Sequence, residues 1–334
     1  MEEEHIMKSP VFLVGLSTAC LAALTLAAPA AYGDTFPDRP IKLILPFSPG
    51  GNPDTVSRML AQEMGKRLKQ PVIVENRAGA NSIIASDLVA KAPADGYTLL
   101  YTTGSHVINP LLYKSLPYDS AKDFVPVVLV GSTRGQVLVV TPSLPVKNVQ
   151  DLVKLAKPAT SNIPYGSAGI GNTMHLVAEY FNYKAGTHLV HVPYKGAAPA
   201  MNAVMSGEVK LAFLNPVSAI EQVKSGTLRA IAVTGSTRFP QLPDVPTVEE
   251  AGVAGYEVQG GWQGALAPAG TPPEIVARLN RAFNDALASP ALKERLASMG
   301  LDLAGGSPQD MANYLAKETA TYTDIMQAAK IEKQ

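Results

Sequence analysis

Residues 46–54 read PFSPGGNPD. The apolar run IKLIL (41–45) leads into them and VSRMLAQEMGKRL (56–68) follows. The first run has the length and composition of a buried strand, and the second sets Val56, Met59, Leu60, Met64 and Leu68 at helical spacing. A strand therefore becomes a helix across a junction of prolines and glycines. The β-rich PVIVEN (71–76), a helical stretch over 82–91 and YTLLYTT (97–103) continue the alternation. This βαβαβ opening predicts a parallel sheet with helices on both faces.

VPVVLVG (125–131) and QVLVVTP (136–142) come next, with little helix between them. The alternation then restarts with strands at NIPYG (162–166), LVHVPY (189–194), VKLAFLN (209–215) and LRAIAVTG (228–235). QGALAP (263–268) reads as a further strand, and helices are expected over 272–289, 290–299 and 307–330 with no strands between them. Those helices are expected on the first unit. The prediction is a two-lobed, hinged α/β clamshell. Lobe one comprises 34–137 with 256–334, lobe two comprises 138–255, and crossings fall near 130–137 and 250–262. Such folds bind ligands in the cleft, beyond the carboxyl ends of the strands.

The chain has 334 residues, 46% hydrophobic and 17% charged, with zero formal net charge. Its length suits two cores. The absence of a basic stripe argues against a nucleic-acid partner. Residues 1–33 differ from the rest: Lys8 precedes an apolar Ala/Leu-rich run that ends in small residues, as in a secretory signal peptide. Met7 is a plausible start, and cleavage fits after Gly33 or Ala30. Ser17, Thr18 and Pro29 interrupt the run, which argues against a membrane anchor. The single cysteine, Cys20, lies in this leader, so a processed chain has no disulfide, thiol nucleophile or zinc–cysteine site. Losing Lys8 and Glu2, Glu3 and Glu4 leaves a slightly basic exported protein, expected in the periplasm as a monomer.

Enzyme motifs are absent: there is no G-x-x-x-x-G-K-[ST], H-E-x-x-H or G-x-S-x-G. His188 and His191 lie at odd spacing on one predicted strand, so they face opposite ways, and no metal or cofactor is expected. The glycine-containing turns say more. In SPGGNPD, Asn52 suits an N-cap, Pro53 the first helical position and Asp54 the first turn. Ser48, Pro49, Gly50 and Gly51 would bring backbone N–H groups close to an anion at a helix N-terminus. The turn alone fits equally well as a plain strand–helix junction. YGSAGIGNTMHL (165–176) repeats the plan in lobe two: Ser167 and Thr173 supply hydroxyls, Asn172 or Thr173 a cap, and either could serve local capping alone. Two such termini in opposite lobes would grip one anion. Asp54 in SPGGNPD, Ser105 and His106 in TTGSH, Lys195 in VPYKG and Asn215 in FLN are further ligand candidates, each with a bland alternative as helix-start charge, turn, solvated cation or helix cap.

Eight motifs in order, PFSPGGNPD, VIVENRAGANS, APADGYTLL, INPLLYKSLPYD, YGSAGIGNTMHL, VHVPYKGAAPA, RFPQLPDVPTVEEAG and APAGTPPE, resemble the extracytoplasmic receptors of tripartite tricarboxylate transporters, the Bug family. The resemblance spans nearly all of the chain from Phe36. It implies the two-lobed fold of periplasmic binding proteins, a type II-like clamshell, with a carboxylate ligand, membrane transporter components as partners, and ligand contacts at Ser48, Pro49, Gly50, Gly51, Asn52, Ser105, His106, Ser167, Ala168, Asn172 and Thr173. One departure is Pro53, which removes an N–H that family members often keep. Phe47, His106, Asn109 and Trp262 are candidates for ligand selectivity. The expected role is capture and delivery of a small organic carboxylate. The alternatives are a sensor that presents the acid to a membrane kinase and an exported enzyme using Asp54 and His175.

Overall fold

A computed structural model describes residues 36–334. The expected leader over 1–33 lies outside the described residues. Lobe one opens with β1 (Ile41–Leu45), α1 (Asn52–Leu68), β2 (Val72–Asn76), a 3-10 turn (Ala80–Ser82), α2 (Ile83–Ala90), β3 (Thr98–Thr102), α3 (Ser105–Leu112) and β4 (Phe124–Ser132). The chain then crosses and builds lobe two from β5 (Val137–Val140), α4 (Val149–Ala156), β6 (Ile163–Ser167), α5 (Thr173–Ala185), β7 (Leu189–Pro193), α6 (Ala197–Ser206), β8 (Leu211–Leu214), α7 (Pro216–Lys224) and β9 (Arg229–Val233). It returns as β10 (Trp262–Pro268), α8 (Pro273–Leu287), α9 (Pro290–Ser298), β11 (Asp302–Gly305) and α10 (Pro308–Ala328).

The two sheets share one plan. Lobe one runs β11-β4-β10-β3-β1-β2 and lobe two β7-β6-β8-β5-β9. Setting β11 aside, each lobe places its second, first, third and fourth strands in that order, with one strand from across the hinge inserted before the fourth. The inserted strands β10 and β5 are antiparallel to both neighbours. The βαβαβ opening pairs parallel, β1 with β2 and with β3, and the reason the inserted strands run the other way is direct. β4 and β9 run toward the hinge, so the strand that emerges from each crossing starts at the hinge and runs away from it. One correction is β11, which pairs antiparallel with β4 between helices where no strand was expected. Its DLAG sequence, half exposed, lacks the apolar run that marks a buried strand.

Burial follows the sequence pattern. Ile41, Leu43, Ile44 and Leu45 of β1 and Val137 to Val140 of β5 are fully or almost fully buried, as strands covered on both faces must be. One apolar cluster joins Leu176, Val177 and Phe181 of lobe two to Trp262, Tyr322 and Ile325 of lobe one. The C-terminal helices pack on lobe one, as expected, but α10 also reaches α5 of lobe two.

The crossings bond to each other. Thr133 N–H donates to Gly261 O (3.0 Å) and Gly260 N–H returns the bond to Thr133 O (3.0 Å). Thr234 N–H donates to Gln136 O (2.9 Å), while Gln136 N–H donates to Thr234 Oγ1 (2.8 Å). Gly235 and Gly260 let the two segments touch: a Cβ at Gly235 would overlap the Arg134 carbonyl, and one at Gly260 would overlap Thr133. The hinge is thus two adjacent backbone segments with almost no side chain between them.

Candidate functional site

Jaw one is the loop from Pro46 to Gly51. Ser48, Pro49, Gly50 and Gly51 are exposed, and Gly50 takes a left-handed φ of 89°. The N-cap of α1 is Gly51, not Asn52 as expected, and it supplies no side-chain cap. A cap without a side chain leaves first-turn N–H groups for solvent or an anion, and the helix dipole favours the anion. Asn52 is the first helical residue. Its Oδ1 accepts from Gln263 Nε2 (2.6 Å), and Gln263 Oε1 accepts from the buried Tyr101 hydroxyl (2.8 Å). Asn52 Nδ2, at the end of that relay, is buried without a partner.

Asp54 organises this loop, and its place corrects the expectation of a ligand contact. Its buried carboxylate accepts from Gly50 N–H (3.0 Å), Arg58 Nε (3.1 Å) and Asn76 Nδ2 (2.9 Å). Burial alone would push its pKa up; the hydrogen bonds from Arg58, Gly50 and Asn76 outweigh that and hold it below the usual range. Asp54 therefore stays ionised as the internal anchor of a loop that shows the cleft only its backbone.

Beside jaw one stands a strained segment that sequence reasoning did not single out. Gly79, Ala80, Asn81 and Ser82 all have positive φ (136°, 45°, 46° and 75°). Three successive non-glycine residues in that region are costly and need external support. Asn81 Nδ2 donates to Asn109 Oδ1 (2.8 Å) and Asn109 Nδ2 donates to Asn81 O (2.8 Å). Ser105 Oγ donates to Ser82 Oγ (2.8 Å). Asn109 and Ser105 are thus committed to holding this segment. Their sequence signal was only the AGANS motif, because nothing in it announces left-handed non-glycine residues.

Jaw two is the loop from Ala168 to Asn172, ahead of α5. Here the side chains close the loop on itself. Gly169 N–H donates to Ser167 Oγ (3.1 Å), Gly171 N–H to His175 Nδ1 (3.1 Å) and Met174 N–H to Asn172 Oδ1 (3.0 Å). Ser167 is fully buried and shares a 2.6 Å hydrogen bond with His191 Nε2, so its expected place at a ligand is corrected: its hydroxyl is used within lobe two. His175 and His191 stack with centroids 4.0 Å apart. Burial, helped by His175, pushes His191 down to about 4; burial also lowers His175, against the pull of Glu179. Both rings are neutral at neutral pH, as His175 must be to accept the Gly171 N–H.

Jaw two also touches lobe one. A Cβ on Gly171 (φ 73°) would overlap Leu112, and a Cβ on Gly104 would stand 3.0 Å from Thr173 Oγ1 and 3.7 Å from the Tyr322 hydroxyl. Ala168 packs partly buried in lobe two. Lys195 is exposed on the loop after β7, where the neighbouring Tyr194 carbonyl faces Gly169. Two further expectations are corrected. Asn215 caps α7, accepting Val217 N–H at 3.2 Å. His106 lies in the core, 3% exposed and edge-on to Phe124 at the far end of β4, where burial lowers it to about 4. Trp262 begins β10, buried edge-on against Tyr314. Among the described residues no group of three or more His, Cys, Asp or Glu side chains could hold a metal ion.

Two α/β lobes of matched topology, joined by a paired-backbone hinge and facing each other with helix N-termini, define a solute-binding protein of the periplasmic clamshell class. Residues 56–331 match the family described as "Tripartite tricarboxylate transporter family receptor". The chain belongs to that family and is a solute-binding receptor rather than an enzyme. It is 39% identical over 312 residues to the "UPF0065 protein in tcbD-tcbE intergenic region" of Pseudomonas sp. (strain P51), covering 93% of this chain and 92% of that one. It also resembles the structure "R. palustris Rpa4515 with adipate", with a TM-score of 0.85, 37% identity and coverage of 90% and 100%. "MatC (Rpa3494) from Rhodopseudomonas palustris with bound malate" gives 0.81, 33%, 87% and 99%.

Proposed function

We propose that this chain is a periplasmic receptor, exported by a leader over 1–33. It captures a small organic carboxylate between lobe one (34–137 with 256–334) and lobe two (138–255) and delivers it to a tripartite membrane transporter. The observation that carries this reading is the uncapped N-terminus of α1, exposed at Ser48 to Gly51 and backed by a saturated Asp54. One carboxylate of the ligand lies at that turn, with Asn52 Nδ2 as a further donor. Ala168, Thr173 and Lys195 close from lobe two. The relatives with adipate and malate support a dicarboxylate. Closure follows because the ligand bridges both lobes and so favours the state in which they meet.

Calorimetry of the processed chain against mono-, di- and tricarboxylates tests the reading. The expected result is binding of at least one acid at micromolar strength, about −8 kcal/mol. Silence toward every acid, with binding of a cation or a neutral sugar, would overturn it. Co-purification with integral membrane subunits tests delivery.

A further inference from the structure

The apolar stripe of α10 contains one acid. Met311, Tyr322, Ile325 and Met326 are buried, and Glu318, one turn before Tyr322, is only 6% exposed. Among the described residues it makes no ion pair within 4 Å. Its position follows from its helix neighbours. Met311 lies over Gly264, Tyr314 is edge-on to Trp262 with its hydroxyl near Ser132, and Tyr322 faces Gly104 and Thr173. Residues at i, i+4 and i+8 share a helix face, so Glu318 sits between the hinge end of β10 and the lobe-two latch.

The sheet beneath it offers unused polar groups. Trp262 and Gly264 face α10, and Thr102 pairs directly with Gly264, so it shares that face. Trp262 Nε1 and Thr102 Oγ1 are both buried without partners. Buried donors are rarely left unpaired, and a carboxyl group nearby is rarely left without one. Two unpaired polar atoms thus lie on the sheet face that α10 covers, the helix that carries Glu318.

We propose that Glu318 is a proton-binding site linked to lobe closure: it is ionised when the lobes stand apart and takes up one proton when Thr173 and Tyr322 meet over a bound carboxylate. Closure removes water from the acid and brings an anion into the cleft, and both effects disfavour its charged form. In the present arrangement burial raises Glu318 to about 7 against the opposing charge of Lys317. The other ionisable groups around it are accounted for. Tyr314 and Tyr322 on α10 are pushed further up by its charge. On α5, His175 is stacked on His191, and Glu179 accepts from Tyr165 (2.6 Å). On α3, His106 is turned to Phe124. β4 has no ionisable side chain. On α8, Glu274, Arg278, Arg281 and Asp285 are not among the groups that shift Glu318.

The inference rests on the carboxylate-receptor reading, and two measurements separate their failures. In calorimetry with adipate and malate, run in buffers of different ionisation heat, binding should take up close to one proton at pH 6. Affinity should fall about tenfold between pH 6 and pH 8.5. Glu318→Gln should bind with no proton uptake and a flat profile. Binding without uptake in the native chain, or uptake that persists in Glu318→Gln, overturns the inference. The second measurement needs no ligand. Gly104→Cys with Thr173→Cys, placed at disulfide spacing, holds the lobes closed. Fluorescence of Trp262, the sole tryptophan, should then inflect near pH 7 and lose the inflection when Glu318→Gln is added. If neither acid binds, the ligand reading fails and this titration decides the proton site by itself: an inflection that depends on Glu318 supports it, and a flat trace overturns it.

Discussion

The two jaws share one recipe, strand, glycine turn, helix, yet they finish it differently. Jaw one has no side chain at its cap and is held from behind, by Asp54 and Asn76. Gly50 N–H is bound by that anchor, and Gly51 caps the helix without a side chain. Jaw two spends its side chains on itself: Ser167, Asn172 and His175 each accept from its own backbone. What it offers the other lobe is shape, through Gly171 against Leu112 and Thr173 against Tyr322 and Gly104. The difference divides the work. Jaw one is braced from behind its turn, and jaw two is braced from within. Similar glycine turns therefore do not imply similar chemistry.

The largest test removes the support behind jaw one. Asp54→Ala removes a buried carboxylate that Gly50 N–H, Arg58 and Asn76 all bond, and should cost about 3 kcal/mol of stability through the loss of those charge-assisted hydrogen bonds. Urea unfolding measures the loss, and calorimetry should show carboxylate binding abolished. Unchanged binding would mean that the turn does not need its anchor.

The next test targets closure. Gly171→Ala drives a methyl group into Leu112 and strains a left-handed residue, and should weaken ligand binding at least ~10-fold. Leu112→Ala in the same chain should restore part of that loss, since it removes the clash but not the strain. No recovery would show that Gly171 serves conformation alone.

A smaller effect is expected from pH. His106 and His191 sit at about 4 in the folded chain, against an ordinary 6.5. The unfolded chain then protonates first, so stability is full above pH 6.5 and drains away as pH falls toward 4. His191→Gln should flatten part of the curve in thermal melts at pH 4.5 to 7. An unaltered curve would place the acid sensitivity outside jaw two. The smallest change should come from Thr173→Val, a few-fold loss of affinity from one hydroxyl, with the melting temperature unchanged.

Much of this fold was legible because buried strands and amphipathic helices write their periods into the chain. VLVV and LAFL are apolar throughout and buried throughout, and IKLIL is so at every position but the exposed Lys42. β11 escaped because an edge strand with half-exposed residues carries no such run. The antiparallel direction of β5 and β10 escaped because periodicity records a strand but not its heading. At the site, the glycine turns were readable as turns and the cap at Asn215 as an alternative, whereas the partners of Ser167 and His106 were not. Each side chain has a choice between ligand and protein, and the choice depends on what packs beside it.

By itself, then, the sequence determined the alternation of elements, the two turns and the resemblance to a carboxylate receptor family, all properties of short segments. The tertiary structure alone decided that Asp54 faces inward to hold Gly50, that Asn52 is reached by Gln263 across 211 positions, and that Glu318 lies under the latch. These depend on contacts between distant parts of the chain, and local spacing carries no record of what meets across a hinge.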